Sequence, residues 1–328
     1  MKLLAFLLLF GIFTASGQLP FTEEQFLARV KSGGGLPESL LSTRSVVFFS
    51  ANMTTKELES IQKSFQRTGI DAVSYFDIDY VSAGRDVSVG LAEHLNQREI
   101  TNLVIFQKHG GLFKIFITDY NKKANLVEQD QLCWTTENSA LDQLLLNLYR
   151  TAANNLKNQN FLINDFPETG FSINAIDGAR NEYFAIDLKV DALAVPKFGD
   201  EQMDIQLKEI MKTYPYKYTL TEPNLSEAEL RRQGFLYVLR FIHARNKIAR
   251  DVLGYETSRA QSAFVSMTYQ ENESQVKNIS ANQMVYKFYF KHIESKNVFL
   301  GRKWDADPSW EQALWNQLKG YKAEFRLN

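Results

Sequence analysis

Residues 45–107 read SVVFFSANMTTKELESIQKSFQRTGIDAVSYFDIDYVSAGRDVSVGLAEHLNQREITNLVIFQ, in which short apolar runs alternate with longer amphipathic patterns. The apolar runs predict buried strands at 45–50, 72–79 and 103–107. Helices are predicted to begin near Thr54 and Val87, because apolar residues recur there at helical spacing. Strands that are joined by helices form parallel pairs, so this stretch predicts an α/β sheet.

Hairpins follow on the C-terminal side of this alternating stretch. The sequence KHGG at 108–111 predicts a tight turn, after which the chain returns as a strand at 112–120. A further strand is expected at 131–136, and Ser139 is placed to cap a long closing helix. Because hairpins pair strands antiparallel, the sheet is predicted to be mixed.

A comparable order of elements recurs in the second half of the chain. Alternating apolar residues predict a strand at 184–198, and a capping box at Ser226 predicts a short helix before the apolar strand 235–242. Asp307 followed by Pro308 is typical of an N-cap and the first position of a helix, which predicts where the last helix begins.

The closing helices of the two series share residues. The sequence ALDQLLLNL aligns with SWEQALWNQ, which pairs Gln143 with Gln312, Leu145 with Leu314 and Asn147 with Asn316. We interpret this match as a divergent internal duplication. The alternative is that amphipathic helices and apolar strands draw on few residue types. The predicted fold class is α/β (α+β), with two tandem domains, duplicated on the first interpretation, that each contain a mixed parallel and antiparallel sheet.

Domain boundaries follow from these elements and from the composition between them. The stretch between the two series is rich in Asn, Asp and Gly, which is typical of a linker. We predict a signal peptide at 1–17, a helical lead-in at 18–44, a first α/β domain at 45–157, a linker at 158–180 and a second α/β domain at 181–328.

The N-terminal residues have the parts of a secretory signal peptide. Lys2 supplies positive charge, residues 3–13 are apolar, and the small residues Ala15 and Gly17 predict cleavage before Gln18. The apolar run is too short to span about 30 Å of hydrocarbon, and an uncleaved membrane anchor is the alternative. No later apolar run is long enough to cross a membrane, so the mature chain is expected to have no transmembrane segment and to be secreted or periplasmic.

The single cysteine, Cys133, excludes an intramolecular disulfide even though the chain is predicted to be exported. This favours a bacterial periplasm or exterior over an animal extracellular space. Four glycosylation sequons keep the eukaryotic alternative open, at Asn52, Asn224, Asn272 and Asn278.

Composition and motifs exclude several functional classes. With 37 basic and 38 acidic residues the net charge is −1, which argues against a nucleic-acid or anionic-membrane binder. The histidines lack metal-ligand spacing, there is no Gly-x-Ser-x-Gly motif, and the glycine run at 33–35 precedes a strand, whereas a dinucleotide loop follows one. We predict no metal and no cofactor.

Asp77 and Asp79 are the candidates for catalysis. They are expected to end the second strand two residues apart, so that both side chains lie on one face. Ligands bind at the carboxyl ends of strands in α/β sheets, so this pair is suited to hold a cation or to activate water. The alternative is a solvated strand end at which acidic residues begin a loop.

An arginine-rich segment and one tryptophan are the candidates for ligand or partner contact. Residues 231–259 contain seven Lys and Arg against two acidic residues, a net charge of +5. Arginine binds acidic glycans, phosphates or acidic protein surfaces through paired hydrogen bonds. The alternative is a solvated face whose charges pair with acids elsewhere. The candidate contact residues are Arg231, Arg232, Arg245 and Arg250, together with Trp315, which falls off the apolar stripe of Trp310, Leu314 and Leu318.

We therefore predict an exported, non-enzymatic binding or structural protein of the cell envelope or extracellular space. It is expected to act through contact with a protein or another envelope component. One alternative is an envelope hydrolase that uses Asp77 and Asp79. The other is a binder of small ligands or glycans that uses the arginine-rich segment.

Overall fold

The computed structural model describes residues 22–169, 173–257, 261–270 and 273–327. The predicted signal peptide, its cleavage site before Gln18, Arg259 and the sequon at Asn272 lie outside these residues. Within the described ranges, no helix is both long enough and apolar enough to cross a membrane.

Helices and strands alternate along the chain. The helices are α1 (Glu23–Leu27), α2 (Thr55–Thr68), α3 (Asp79–Ser82), α4 (Arg85–Gln97), α5 (Leu141–Asn155), α6 (Glu201–Met211), α7 (Glu227–Arg232), α8 (Asn246–Val252) and α9 (Trp310–Glu324). The strands are β1 (Val30–Ser32), β2 (Arg44–Phe49), β3 (Asp71–Asp77), β4 (Ile100–His109), β5 (Leu112–Asp119), β6 (Gln131–Asn138), β7 (Glu168–Thr169), β8 (Arg180–Asn181), β9 (Leu193–Pro196), β10 (Tyr218–Thr221), β11 (Tyr237–Arg245), β12 (Ala263–Gln270), β13 (Glu273–Ser280), β14 (Met284–His292) and β15 (Val298–Phe299).

The first sheet has the strand order β1-β6-β5-β4-β2-β3-β7. Strands β3, β2 and β4 are parallel, whereas β4, β5 and β6 form antiparallel pairs. Helices α2 and α5 cover one face, where Phe65 and Leu148 are buried against Val104 of the sheet. Apolar residues at helical spacing therefore supply one layer of the core, as the sequence pattern predicts.

The second sheet has the order β10-β9-β11-β14-β15-β8. Helices α6 and α9 cover its outer face, where Leu207, Leu314 and Leu318 pack with Phe290. Strands β12 and β13 form a separate antiparallel pair. The predicted fold class is confirmed: the protein is α/β with mixed parallel and antiparallel sheets.

The second sheet repeats the strand order of the first. The series β1-β6-β5-β4-β2-β3 corresponds to β8-β15-β14-β11-β9-β10, and equivalent neighbours run in the same relative directions. The matched residues of α5 and α9 agree only in part, because Leu145 and Leu314 are both buried, whereas Asn147 is exposed and Asn316 is fully buried. The repeated order fits an internal duplication, which stays a prediction.

An apolar core between the two sheets contains residues of both halves. Leu91 of α4 and Ile105 of β4 belong to the same buried cluster as Ile242 of β11 and Val285 of β14. Helix α4 contacts both β4 and β11. Within the predicted linker at 158–180, β7 joins the first sheet and β8 joins the second. The two halves therefore bury apolar surface against each other.

The strand predicted at 184–198 is wrong over most of its length. Residues Ile186–Lys189 form a 3-10 helix, and only β9 is a strand. Phe184 and Leu188 are buried while Ile186 and Val190 are exposed. Two apolar residues four positions apart face the core, which is a helical spacing, and the alternation in the sequence does not reflect a strand.

The last helix begins later than its sequence predicts. Ser309 is the N-cap of α9, and its Oγ accepts a hydrogen bond from the Gln312 N–H at 3.2 Å. Asp307 instead pairs with Tyr286 of β14 through backbone hydrogen bonds of 2.8 and 3.1 Å. Helices α3 and α8 and strands β1, β7, β8 and β13 were not predicted from the sequence.

Candidate functional site

A cleft opens where strands of both sheets end. Phe49 ends β2, Asp77 ends β3 and Arg245 ends β11, and all three line this cleft. Its volume is about 440 Å³, which lies in the range of small-molecule sites. The remaining lining residues include aromatic and polar side chains, namely Tyr75, Phe76, Tyr80, Lys247, Asp251 and Asn282.

The structure brings Asp77 and Asp79 together at this cleft, although not on one strand. Strand β3 ends at Asp77, and Asp79 is the first residue of α3, so the two do not share a strand face as predicted. The Asp79 N–H donates to Asp77 Oδ1 at 3.1 Å. This local turn, rather than the period of a strand, places the two carboxylates side by side.

Arg245 binds both carboxylates. Its Nε lies 2.7 Å from Asp79 Oδ2, its backbone N–H donates to the same oxygen at 3.0 Å, and its Nη2 contacts Asp77 Oδ2. The three side chains are between 12% and 16% exposed. Because Arg245 lies on β11, while Asp77 ends β3 and Asp79 follows it, this ion-pair cluster joins the first sheet to the second.

Burial and ion pairing act in opposite directions within the cluster. Burial raises the pKa of Asp77, and Arg245 offsets only part of that rise. Burial lowers the pKa of Arg245, but Asp77 and Asp79 outweigh it, so the pKa of the guanidinium is raised overall. To act as a general acid or base, Asp77 would have to exchange its contact with Arg245 for a contact with substrate.

Thiol and metal chemistry are not evident in the described residues. Cys133 is buried in β6, and burial raises the pKa of its thiol. A raised pKa keeps a thiol protonated and poorly nucleophilic. Across the ranges that the structure describes, there is no group of three or more His, Cys, Asp or Glu side chains suited to hold a metal ion.

The candidate arginines occupy different environments. Arg231 and Arg232 are exposed on α7, where Arg231 Nε donates to Glu294 at 2.6 Å. The Arg250 guanidinium lies 4.7 to 5.1 Å from the ring centroids of three aromatic residues, Tyr255, Phe264 and Trp304. Arg245 is held in the ion-pair cluster. The described arginines of this segment therefore do not form one continuous basic surface.

Trp315 lies partly exposed on α9. The Lys319 Nζ lies 4.7 Å from the centroid of its ring, which is a cation–π distance. Trp310, Leu314 and Leu318 are buried, so the apolar stripe predicted for this helix is confirmed. The partial exposure of Trp315 agrees with its position off that stripe.

An exposed apolar segment lies between the two halves of the sequence. Phe161, Leu162 and Phe166 are 90%, 91% and 89% exposed. We call residues 158–169, which carry these side chains, the strap. The polar composition around them predicts a linker, and their large apolar side chains were the available signal for a contact surface.

The strap is fixed to α2 and β3 by polar contacts. Asn160 Nδ2 donates to the Gly69 carbonyl at 3.0 Å, and the Asn164 N–H donates to Asp71 Oδ1 at 2.9 Å. Gln62 Nε2 donates to the Asn164 carbonyl at 2.8 Å. At its end, β7 pairs with β3. The exposed apolar side chains therefore belong to an anchored segment.

A groove runs beside the strap along α2. It measures about 600 Å³, and its apolar lining includes Leu58, Tyr75 and Phe166. Its charged lining residues have both signs, because Glu59 and Lys63 of α2 lie opposite the acidic strap residue Asp165. The C-terminal part of the strap therefore forms one wall of an amphipathic groove.

No protein-family model, no curated protein and no solved structure matches this chain. Its function is therefore inferred from the chemistry of its own surfaces.

Proposed function

We propose that the chain is an exported, non-enzymatic binding protein that acts by contact with another protein through the strap. The observation that carries this proposal is the exposure of about nine-tenths of Phe161, Leu162 and Phe166 within six residues. Single exposed apolar residues are ordinary, but clustered ones are typical of interaction sites. Aromatic side chains at the centre of an interface supply much of its binding free energy.

The anchored backbone supports this assignment. A segment that is already held by hydrogen bonds to the first sheet loses less conformational entropy on binding than a free loop does. The apolar side chains are left exposed while the polar groups of Asn160 and Asn164 face the protein. In a solvated linker, the polar groups of Asn160 and Asn164 would face water instead.

The charges around the strap favour a protein over nucleic acid or anionic lipid. Nucleic acid and anionic bilayers are bound through clusters of Lys and Arg. Here Lys63 lies among Glu59 and Asp165, and the whole chain has a net charge of −1. An apolar centre with a rim of mixed charge is the usual composition of a protein–protein interface.

The hydrolase alternative has one supporting observation. Asp77 lines a cleft of about 440 Å³ and its pKa is raised by burial, which is a common property of catalytic carboxylates. Its contact with Arg245 supports a structural role instead. Turnover of an envelope substrate by the wild type that disappears in Asp77→Asn would favour the hydrolase.

The test of the proposed function compares two triple variants of the purified chain. One is Phe161→Ser/Leu162→Ser/Phe166→Ser, which removes the apolar strap. The control is Val190→Ser/Val265→Ser/Val276→Ser, which removes apolar side chains that are 79%, 60% and 71% exposed elsewhere. Each is used to capture proteins from envelope fractions, and the captured protein is then purified and titrated directly.

We expect the wild type and the control variant to bind the same protein with similar affinity. The strap variant should bind at least about tenfold more weakly, because a few central apolar contacts dominate such interfaces. All three should have the same circular dichroism spectrum, since the replaced side chains are exposed. Equal binding by the strap variant, or no captured protein that binds in the direct titration, would overturn the proposal.

A further inference from the structure

A second, narrower cleft lies where α4 begins against the second sheet. Its cavity measures about 50 Å³. Phe198, Leu239 and Phe241 supply apolar walls, and Arg85 and Arg240 line the same cavity. This volume is too small for a drug-sized ligand, but it accommodates a group of the size of a carboxylate or a phosphate.

Arg240 is buried in the wall of this cleft without hydrogen bonds for two of its nitrogens. Arg240 is 5% exposed, and its Nε and Nη2 have no hydrogen-bond partner. The nearest carboxylates are those of Asp86 and Glu227, each 3.7 Å away. That distance allows Coulomb attraction but is too long for a hydrogen bond.

Both of these carboxylates are engaged by other groups. The Tyr289 hydroxyl donates to Asp86 Oδ2 at 2.6 Å, and Lys291 Nζ donates to Asp86 Oδ1 at 3.0 Å. Lys291 also lies 2.9 Å from Glu227, which contacts Lys296 as well. Burial acts to raise the pKa of Glu227, but these cations hold it at about 2.

Arg85 adds a second guanidinium to the cleft. In the described part of the chain its side chain makes no hydrogen bond and no ion pair. Burial is the largest cause that lowers the pKa of Arg85, and the like charge of Arg240 lowers it further. The charged side chains around Arg85 and Arg240 carry one more positive than negative charge. The cations are Arg85, Arg240, Lys291 and Lys296, and the anions are Asp86, Glu227 and Glu229.

The N-terminus of α4, like the two arginines, contributes positive charge to the cleft. Its N-cap is Gly84, which supplies no side-chain hydrogen bond to the first turn. A Cβ at Gly84 would lie 2.4 Å from the Phe241 carbonyl oxygen, so glycine is needed for the helix to begin this close to β11. The free N–H groups of a first turn carry partial positive charge.

We propose that the cleft between Arg85 and Arg240 binds an oxyanion, either a carboxylate or a phosphate group. Guanidinium groups match the geometry of both. The apolar walls lower the local dielectric constant and so strengthen the attraction. An anion here would accept hydrogen bonds from the partly exposed Arg85 guanidinium. Arg240, which faces Asp86 and Glu227, would add Coulomb attraction. This site is separate from the strap, so the proposal does not depend on the proposed function.

The experiment titrates the purified chain with inorganic phosphate and, separately, with benzoate as an aromatic carboxylate. Sodium chloride keeps the ionic strength constant, and calorimetric titration and the midpoint of thermal unfolding are measured. We expect saturable binding of at least one of the two anions and a rise in the midpoint with its concentration. Binding of phosphate alone or of benzoate alone identifies the preferred group.

The variant that tests the site is Arg85→Met, and the matched control is Arg232→Met. Arg85 is only partly buried, so its replacement should fold, whereas Arg240 is too buried for a clean test. Arg85→Met should weaken anion binding at least about tenfold, and Arg232→Met, at an exposed arginine of α7, should leave it unchanged. Binding that Arg85→Met does not alter, or no saturable binding of either anion above chloride, would overturn the proposal.

Discussion

At the cleft between the two sheets, the Arg245 guanidinium and its own backbone N–H both bind Asp79, and the guanidinium also contacts Asp77. The sequence singles out each of these residues, but for different roles and in separate segments. Arg245 and Asp79 are 166 positions apart, so no local pattern predicts that they meet. The sequence shows which residues carry charge, whereas only the fold decides which of them form ion pairs.

Replacing Arg245 with methionine should lower the free energy of unfolding by about 3–5 kcal/mol, because it leaves two buried carboxylates without their cation. Denaturant unfolding of Arg245→Met against the wild type measures this change. Arg232→Met is the control, and it should change stability by less than about 0.5 kcal/mol. The triple variant Arg245→Met/Asp77→Asn/Asp79→Asn should recover part of the loss. A loss below about 1 kcal/mol in Arg245→Met would contradict a stabilising role for the cluster.

Helix starts show where local signals are sufficient. Thr54 caps α2, since its Oγ1 accepts from the Glu57 N–H at 3.3 Å, and Ser226 caps α7 in the same way at 3.2 Å. Both caps depend on local sequence, because the bonded residues are three positions apart. The box at Ser226 is predicted from the sequence, whereas at Thr54 only the start of the helix is predicted. Asp307 shows the opposite case: it bonds to Tyr286 of a distant strand and leaves the capping of α9 to Ser309.

The start of α4 gives a prediction about one glycine. Gly84→Ala should lower the free energy of unfolding by at least about 2 kcal/mol, because the residue has φ +123° and its Cβ would meet the Phe241 carbonyl oxygen. Urea unfolding with circular dichroism detection measures the change.

Gly320→Ala is the matched control for Gly84→Ala. Gly320 lies inside α9, and a Cβ there has no neighbour within 4 Å. This substitution should therefore raise stability by about 0.5–1 kcal/mol through the helix preference of alanine. Equal effects at the two glycines would show that the close approach of α4 to β11 does not constrain position 84.

For the whole molecule, the core between the sheets is the dominant feature. Leu91 and Ile105 of the first half are buried with Ile242 and Val285 of the second. Each half viewed alone in sequence has an amphipathic pattern that is compatible with an independent domain. That pattern specifies which residues are apolar, but not whether they are buried against their own half or against the other.

The shared core predicts that the two halves unfold together. Calorimetry should show one transition whose measured enthalpy equals the van't Hoff enthalpy. Leu91→Ala should lower the stability of this single transition by about 2–5 kcal/mol, as expected for a fully buried leucine. Two transitions, with only one of them shifted by Leu91→Ala, would instead support two independent domains with the boundary predicted within 158–180.

Local patterns in the sequence miss α8 and β13 and misassign most of residues 184–198, but they predict most of the longer helices and strands, the mixed character of the sheets, the start of α2 and the cap of α7. These features depend on the period of apolar residues and on side chains within a few positions of one another. Tertiary structure alone decided that Arg245 meets Asp77 and Asp79, that Arg85 lies beside Arg240, and that the strap leaves its apolar side chains exposed. Burial and charge pairing depend on which distant segments pack together, and the period of a single element carries no information about that choice.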